Sequence, residues 1–462
     1  MGKMAKLYAL LGVLLVICGA VFAVSRYQGK QEAIKKSGEV ILEIPTDSVT
    51  SLSWTNESGT FSFTKGETWS YDDDAAFPVS EEKIGSLLSQ FENFTAAFSI
   101  DDVQDYGQYG LDEPVCTIDF TADGETHTVR LGDFSKMDEQ RYVSIGDGKV
   151  YLAVHDPLEE FDAVAKDTIL DDTIPQFDTA EKIEFSGNEN YTIVRDEACK
   201  SICESDVYFA DEKPLDTNNV DTWLAAVTSL NLTDYVSYNV SEEELRAFAL
   251  DAPALTVTLA YSGETGSGTL TLHLSQNPEE LAAYNEAVQE EADALPKVTC
   301  YARVDQSQIV YEISQEDYDI LTAVSYDKLR HRELFTADFD TAVSMDVALD
   351  GERFTFVYTL PEDEDAEGAW TYQEEEFDIT ALKKALLAVS ASGFTEEKPT
   401  GQEEISLTVH LDNEDFPTFT LTLYRCDGTN CIASVDGKPT ALVSRSQTVN
   451  LIEAVNALIL GS

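Results

Sequence analysis

The sequence is poor in basic side chains. Its 462 residues contain 30 lysines and arginines against 86 aspartates and glutamates, which gives a formal net charge of -56. A field of this sign repels nucleic-acid phosphates, so the composition excludes nucleic-acid binding. The acidic residues are spread along the whole chain, and we expect most of them to form a solvated surface. A hydrophobic fraction of 43% argues against general disorder.

The motifs of the common enzyme classes are also missing. The chain contains no metalloprotease helix, no nucleophile elbow and no phosphate-binding loop. Its five histidines are scattered, and most lie in or beside predicted strands, where a structural role is expected. Carboxylate pairs are so numerous that they have no diagnostic value. The sequence therefore predicts a protein that is not an enzyme and that needs no cofactor.

Only one long hydrophobic run carries a localisation signal. Leu7 to Val24 is uninterrupted by charge, has basic residues on both sides and is long enough to span a bilayer. We expect residues 1–27 to be an uncleaved single-pass membrane anchor, with the large domain outside the cytoplasm and residues 28–44 as a linker. A cleaved signal peptide stays open as an alternative because Val21 and Ala23 have the spacing of a cleavage site. Lipidation at Cys18 is disfavoured by the bulky Ile17 before it.

Three helix starts repeat along the chain. Each has an N-cap residue, an apolar residue before the cap, and another apolar residue four positions after it, which is the spacing of a hydrophobic staple. The three caps are Ser80, Asp216 and Asp378. Apolar residues then follow with helical spacing, so each helix is predicted to bury one face.

Alternating strands follow the first two helices after a similar turn. Gly110-Leu111-Asp112-Glu113-Pro114 and Ala249-Leu250-Asp251-Ala252-Pro253 each lead into a run in which apolar residues alternate with threonine or aspartate. The third copy keeps the alternating strand from Ile405 to Leu411 but lacks the turn. Each copy then ends with a pair of strands and a short amphipathic segment.

These repeats predict an α+β fold of three tandem similar modules. Each module contains antiparallel strands, one amphipathic helix and a short closing helix, and the modules follow one N-terminal transmembrane helix. We place module 1 at residues 45–172, module 2 at 173–336 and module 3 at 337–462. The second module is lengthened by an insertion from Asn277 to Ala294, which we expect to be a solvated helix or a mobile loop.

Two cysteine pairs are candidates for disulfides. Cys426 and Cys431 flank a predicted hairpin turn, and Cys199 and Cys203 form a second local pair. Zinc is the alternative for such pairs, but their spacings and their placement in different modules do not assemble the usual tetrahedral set. We therefore predict disulfides or free thiols, and no metal, at these positions.

A loose calcium-loop pattern lies in module 3. Asp363, Asp365, Glu367 and Glu374 occupy the first, third, fifth and twelfth positions of this pattern. Glutamate is unusual at the fifth position, and the preceding residues are predicted to form a strand, whereas a calcium loop of this type follows a helix. A solvated acidic hairpin turn is therefore the favoured interpretation, and calcium binding is the weaker alternative.

The order of these features resembles a known bacterial family. The N-terminal apolar span, Trp69-Ser70-Tyr71, the helix start at Phe77 to Ser80 and the turn at Tyr109 to Pro114 are similar to the domain of unknown function 4340 family. The resemblance is good over residues 45–172 and fainter in module 2. It implies a bacterial cell-envelope protein in a family found near transporter components of the ATP-binding-cassette type. The family supplies no catalytic residues.

Our leading functional hypothesis is a membrane-anchored, extracytoplasmic, non-enzymatic repeat protein. It would act as a binding or accessory module, with subunits of an envelope ABC-type transporter as candidate partners. The alternative is a cell-surface binder of wall glycan or of another extracellular ligand, with Tyr106 and Tyr109 as candidate stacking platforms. A hydrolase is a third, weaker alternative.

Overall fold

The strands of this protein form three antiparallel sheets with related chain paths. The computed structural model describes residues 38–263, 266–292, 294–360 and 368–461. Each sheet contains nine strands. The predictions of an α+β fold and of three similar modules are confirmed. The predicted anchor at Leu7 to Val24 lies outside the described residues, and among the helices that are described none is long and apolar enough to cross a membrane.

Module 1 contains the first nine strands and two α-helices. The sheet order is β1-β5-β9-β8-β7-β6-β2-β3-β4. The edge strand β1 lies in the segment predicted to be a linker, and Glu39 in it pairs with Ala96. Ordered structure therefore begins before position 45. The elements are β1 (Glu39–Leu42), β2 (Val49–Asn56), β3 (Gly59–Lys65), β4 (Trp69–Tyr71), α1 (Glu81–Ser89), β5 (Phe94–Ile100), β6 (Cys116–Ala122), β7 (Glu125–Ser135), β8 (Gln140–Ser144), β9 (Val150–Ala153) and α2 (Leu158–Phe161), with 3-10 turns at Thr46–Ser48, Tyr106–Tyr109 and Ala165–Thr168.

Module 2 has the sheet order β13-β12-β11-β10-β15-β16-β17-β18-β14. Its insertion forms a helix that Asn277 caps and that buries no residue. Of the two predicted forms, this is the solvated helix. The elements are β10 (Thr179–Gly187), β11 (Tyr191–Arg195), β12 (Tyr208–Ala210), β13 (Lys213–Pro214), α3 (Thr217–Thr228), β14 (Tyr235–Ser237), α4 (Glu242–Ala247), β15 (Leu255–Gly263), β16 (Gly266–Gln276), α5 (Pro278–Gln289), β17 (Cys300–Val304), β18 (Val310–Ile313), α6 (Gln315–Thr322) and α7 (Tyr326–Leu329).

Module 3 has the sheet order β22-β21-β20-β19-β24-β25-β26-β27-β23. Its closing helix has 17 residues and is longer than the predicted short helix, because it buries Leu451 and Val455 in the module core. The elements are a 3-10 turn at Phe339–Thr341, β19 (Ala342–Leu349), β20 (Glu352–Thr359), β21 (Ala369–Tyr372), β22 (Glu375–Phe377), α8 (Thr380–Leu387), β23 (Ala391–Phe394), β24 (Glu403–Leu411), β25 (Thr418–Arg425), β26 (Asn430–Val435), β27 (Lys438–Ser444) and α9 (Arg445–Gly461).

The three sheets share an irregularity as well as most of their strand order. In each module a meander is followed by a helix and a further strand, and a second meander then begins beside the first strand of the first meander. The further strand lies at the sheet edge in modules 2 and 3, whereas in module 1 it is β5, which pairs with the edge strand β1. The pairing between these two central strands shifts register near the start of the first one, which is a β-bulge. The shifts fall between Val49 and Ser51, between Ala180 and Lys182, and between Ala342 and Ser344. Modules 2 and 3 belong to one compact unit, and module 1 with Ser237–Asn239 forms another.

Two of the three predicted helix caps are confirmed. The side chain of Ser80 accepts the Lys83 backbone N–H at 3.3 Å, and that of Asp216 accepts the Asn218 N–H at 3.0 Å. The third helix begins at Thr380, one residue later than a cap at Asp378 predicts. Asp378 still accepts the Thr380 backbone N–H, at 2.9 Å, but its carboxylate closes a local turn before the helix.

The turn that precedes the central alternating strand contains a residue in the left-handed backbone conformation. Gly110 has φ of 69°, and a Cβ atom on it would lie 2.7 Å from the side chain of Asp133. The corresponding Ala249 of module 2 also has a positive φ, 54°, which is unfavourable for a residue with a Cβ atom. The turn geometry is therefore kept in both modules although only one of them carries glycine.

Candidate functional site between the sheets of modules 2 and 3

The segment that connects modules 2 and 3 positions the candidate site. It covers residues 314–341 and carries α6 and α7. Ser325 caps α7 by accepting the backbone N–H of Lys328 at 3.3 Å. The backbone N–H of Asp216, at the start of α3, donates to the carbonyl of Leu329 at 2.9 Å. The end of α7 is thus fixed beside the start of α3, and the two residues that follow it, Arg330 and His331, lie at the site.

A cavity of about 570 Å³ opens beside α7, and we call it the junction cavity. Residues from both modules and from the connecting segment form its walls. Those used below are Lys213, Tyr326, Arg330, Phe394, Glu396 and Lys438. A volume of this size falls in the range of small-ligand sites and also accommodates a side chain or a chain end of a partner protein.

Arg330 contacts two aromatic rings that also line the junction cavity. The guanidinium carbon lies 3.8 Å from the ring centroid of Phe394 and 5.4 Å from that of Tyr326. Its Nη1 atom is 3.3 Å from Oδ1 of Asp327. Cation–π contacts and the ion pair restrict the guanidinium plane, so part of its hydrogen-bonding edge is held in a fixed direction.

The charge of the junction cavity differs from that of the chain. Three cations, Lys213, Arg330 and Lys438, line it together with two carboxylates, Asp327 and Glu396. Among the described residues, neither lysine forms an ion pair, and both side chains are exposed. A local positive excess beside aromatic rings suits a carboxylate or phosphate group attached to a flat apolar body.

A second group of reactive side chains lies at the same junction, and we call it the Cys-Asp-His cluster. Donor atoms of Cys203, Asp206 and His331 all lie within 4.8 Å of one another. The Nε2 atom of His331 is 2.8 Å from Oδ1 of Asp206, whose side chain is 1% exposed. The other oxygen of Asp206 accepts the hydroxyl of Ser201 at 2.9 Å. The Nδ1 atom of His331 lies 3.7 Å from Oδ2 of Asp216.

Burial and charge act differently on the two titrating members of the cluster. Burial raises the pKa of the Cys203 thiol and is the largest influence on it. Burial would lower the pKa of His331, but the hydrogen bond and charge of Asp206, with the charges of Asp216 and Glu333, outweigh it and raise the pKa. Without a bound cation, the cluster therefore favours a thiol and an imidazolium.

The family comparison concerns the segment before this site. Residues 69–201 match the family model described as Domain of unknown function (DUF4340). This segment belongs to the DUF4340 family. The predicted resemblance is confirmed over these residues, which run from β4 through module 1 into β10 and β11 of module 2. Comparison with curated proteins and with solved structures finds no match. The DUF4340 match ends at Ser201, so Cys203, Asp206 and His331 lie beyond it.

The two predicted disulfide pairs are present as thiols in the structure. Cys431 is buried and pairs with Arg425 across the hairpin, whereas Cys426 is exposed one residue further along. Their disulfide remains a prediction, and forming it requires a rearrangement at the end of the hairpin because adjacent residues point to opposite faces. Cys199 and Cys203 are both partly exposed. The structure brings Cys203 to Asp206 and His331, a grouping that the sequence spacing did not predict.

The calcium candidate lies largely outside the described residues. Asp363, Asp365 and Glu367 are in the undescribed segment 361–367. Glu374 lies in the tight turn between β21 and β22, with φ of 72°. The surrounding strands agree with the predicted hairpin, since β20 pairs with β21 and β21 with β22.

The proposed tyrosine platforms lie in module 1. Tyr106 and Tyr109 flank a 3-10 turn that Asp105 caps, and both rings are half-buried. The ring of Tyr109 packs against that of Tyr142, with centroids 5.0 Å apart. Packing against the sheet thus occupies part of the surface that a sugar ring would need.

Proposed function

We propose that this chain is a membrane-anchored, extracytoplasmic, non-enzymatic module array that binds a partner protein through the junction cavity. The observation that carries the proposal is the cavity lining: exposed Lys213 and Lys438 beside the Arg330–Phe394 pair in a chain of net charge -56. The anchor at Leu7 to Val24 and the family resemblance motivate the envelope location, and subunits of an ABC-type transporter are the candidate partners.

Charge favours a macromolecular partner over a small free anion. At physiological ionic strength the Debye length is about 8 Å, so the cations of the cavity dominate only at close range. At longer range the acidic surface repels an anion that diffuses freely. A partner that contacts a larger area offsets this repulsion and can insert one acidic or phosphorylated group between Lys213 and Lys438.

The test is crosslinking of the full chain in cells, followed by affinity purification from membranes and mass spectrometry. A Lys213→Glu, Lys438→Glu double variant reverses the charge of the cavity. The matched control, Lys182→Glu with Lys398→Glu, makes the same total change of charge at exposed positions of the same two modules. We expect the wild type and the control to recover transporter subunits and the cavity variant to lose them.

Two results would contradict this function. Equal recovery by the cavity variant and the control would remove the cavity from the contact surface. Recovery of no protein partner by the wild type, combined with retention on cell-wall glycan that a Tyr109→Ala variant loses, would favour the glycan-binding alternative.

A further inference from the structure

We propose that Cys203, Asp206 and His331 bind one Zn²⁺ ion, which links module 2 to the segment leading into module 3. The three side chains offer sulfur, oxygen and nitrogen, which are the donor types that zinc takes in proteins. This inference is independent of the partner-binding function, since it concerns the interior of the junction and not the lining of the junction cavity.

The local chain geometry places two donors in the manner of a zinc knuckle. Cys203 and Asp206 are separated by two residues, and the backbone N–H of Asp206 donates to the carbonyl of Cys203 at 3.0 Å, which closes a turn. The backbone N–H of Cys203 donates to Oγ of Ser201 at 3.3 Å. Zinc sites commonly take two ligands from a turn with this spacing, with the remaining ligands from distant chain. His331 supplies the distant ligand.

The separations between donor atoms are close to those of a tetrahedral site. Bond lengths of about 2.0–2.3 Å imply distances of about 3.3–3.8 Å between ligand atoms. The cluster has all its donor atoms within 4.8 Å, and Nε2 of His331 lies 2.8 Å from Oδ1 of Asp206. Small side-chain rotations, with release of the Cys203 thiol proton and the His331 Nε2 proton to solvent, therefore convert the present hydrogen bond into two metal bonds and let the thiolate form a third.

Outer groups are in place beside two of the ligands. Ser201 holds the oxygen of Asp206 that faces away from His331, which leaves Oδ1 for the metal. Oδ2 of Asp216 faces Nδ1 of His331 at 3.7 Å, on the side of the ring opposite Nε2. This separation is longer than a hydrogen bond. Closing it on metal binding would give the carboxylate–histidine–metal arrangement, in which the outer carboxylate fixes the ring and increases the basicity of the ligating nitrogen.

The fourth coordination position faces accessible space. Cys203 and Glu204 line a second cavity of about 310 Å³, together with Thr336 of the connecting segment and Asn413 of module 3. A water molecule or the carboxylate of Glu204 can complete the set from that side. The mixed donors favour zinc over calcium or magnesium, which prefer oxygen ligands alone.

Metal binding would stabilise contacts that already join the two modules. Ile202, next to Cys203, packs against the core of module 3. Lys200 forms an ion pair with Asp415 at 2.5 Å. Zinc would tie the segment that carries these contacts to His331 in the connector, so the segment and the connector should become ordered together.

The test uses Co²⁺ as a spectroscopic probe for Zn²⁺ in the purified, reduced full chain. We expect one equivalent of Co²⁺ to give thiolate-to-cobalt charge-transfer absorption and Zn²⁺ to displace it. Cys203→Ser and His331→Gln should each abolish the signal. Cys199→Ser is the matched control, because it removes another partly exposed thiol of the same segment, and it should keep the signal.

Asp216→Asn tests the outer contact without loss of the helix cap, because asparagine caps helices as well as aspartate does. We expect the affinity for Co²⁺ to fall about 10- to 100-fold. Hydrogen exchange of residues 199–206 and 326–335 should slow when Zn²⁺ is added, while module 1 stays unchanged. Absence of thiolate absorption in the wild type, or the same absorption in Cys203→Ser, would overturn the site. An unchanged affinity in Asp216→Asn would overturn the role of that carboxylate.

Discussion

Replacing Arg141 by methionine should destabilise module 1 strongly, because this side chain neutralises a largely buried carboxylate. The Nε atom of Arg141 donates to Oδ1 of Asp156 at 2.7 Å, and the two side chains are only 10% and 13% exposed. Its Nη1 atom donates to the buried carbonyl of Gly132, also at 2.7 Å. The same oxygen of Asp156 accepts the backbone N–H of Leu158 at the start of α2. Arg141 therefore connects three segments of the module.

The expected loss follows from what the substitution leaves behind. Methionine fills a similar volume but removes the two N–H groups that Arg141 donates, one to the Asp156 carboxylate and one to the Gly132 carbonyl. Removing one partner of a buried ion pair costs about 3–5 kcal/mol, and we expect the lower end, about 3 kcal/mol, because a tenth of each side chain still contacts water. Adding Asp156→Asn to Arg141→Met removes the stranded charge and keeps the acceptor for Leu158, so about 1 kcal/mol or more should be recovered.

Hydrogen exchange read by mass spectrometry is the suitable assay, because the chain forms two compact units and does not qualify for a single two-state transition. At about 1.4 kcal/mol per factor of ten, a loss of 3 kcal/mol lowers protection in β8 and β9 by more than about a hundredfold. Arg246→Met is the control: its pair with Glu242 is 64% and 91% exposed, and it should change local protection only slightly. A change in protection of less than about threefold in Arg141→Met would show that the ion pair with Asp156 does not stabilise module 1.

Three further outcomes are expected from the described geometry. Gly110→Ala should lower the free energy of unfolding of module 1 by about 1–2 kcal/mol, because alanine is strained at φ of 69°. Ala249→Gly relieves the same strain at φ of 54° and should stabilise module 2 by up to about 1 kcal/mol. Hydrogen exchange measures both effects. Backbone hydrogen bonds lower the pKa of Asp427 from 3.8 to about 2. The stability that this carboxylate contributes to the folded chain is therefore fully present above pH 3.8 and is lost as the pH falls through 2. The penalty of Asp427→Asn should therefore shrink over this interval in denaturation experiments. Iodoacetamide should label the exposed Cys426 in the folded chain but not Cys116, whose pKa burial raises to about 12.

Each of these expectations has a contradicting result. If neither Gly110→Ala nor Ala249→Gly changes the stability of its module, strain in the left-handed backbone does not affect stability at these two positions. A pH-independent penalty for Asp427→Asn would exclude the charged hydrogen bonds as its cause. Rapid labelling of Cys116 without denaturant would contradict its burial.

Helix starts and alternating strands could be predicted because the signals that produce them are local. Ser80 and Asp216 cap their helices through atoms two or three residues away, and the alternation in β6 follows from the two faces of one strand. Repetition of these local signals was sufficient to predict three similar α+β modules. The strand β1 was missed because its pairing partner Ala96 lies far along the chain and its own pattern is short.

The candidate site depends instead on contacts between residues that are distant in the sequence. His331 lies 125 residues after Asp206, and only the packing of the connecting segment against module 2 brings their side chains to 2.8 Å. The junction cavity likewise joins Lys213, Arg330 and Lys438, whose local sequences are those of ordinary surface residues. Periodicity and composition are sufficient to predict the modules, most of their elements and the acidic surface. Which donors and cations meet depends on long-range packing, because sequence spacing carries no information on how two sheets pack together.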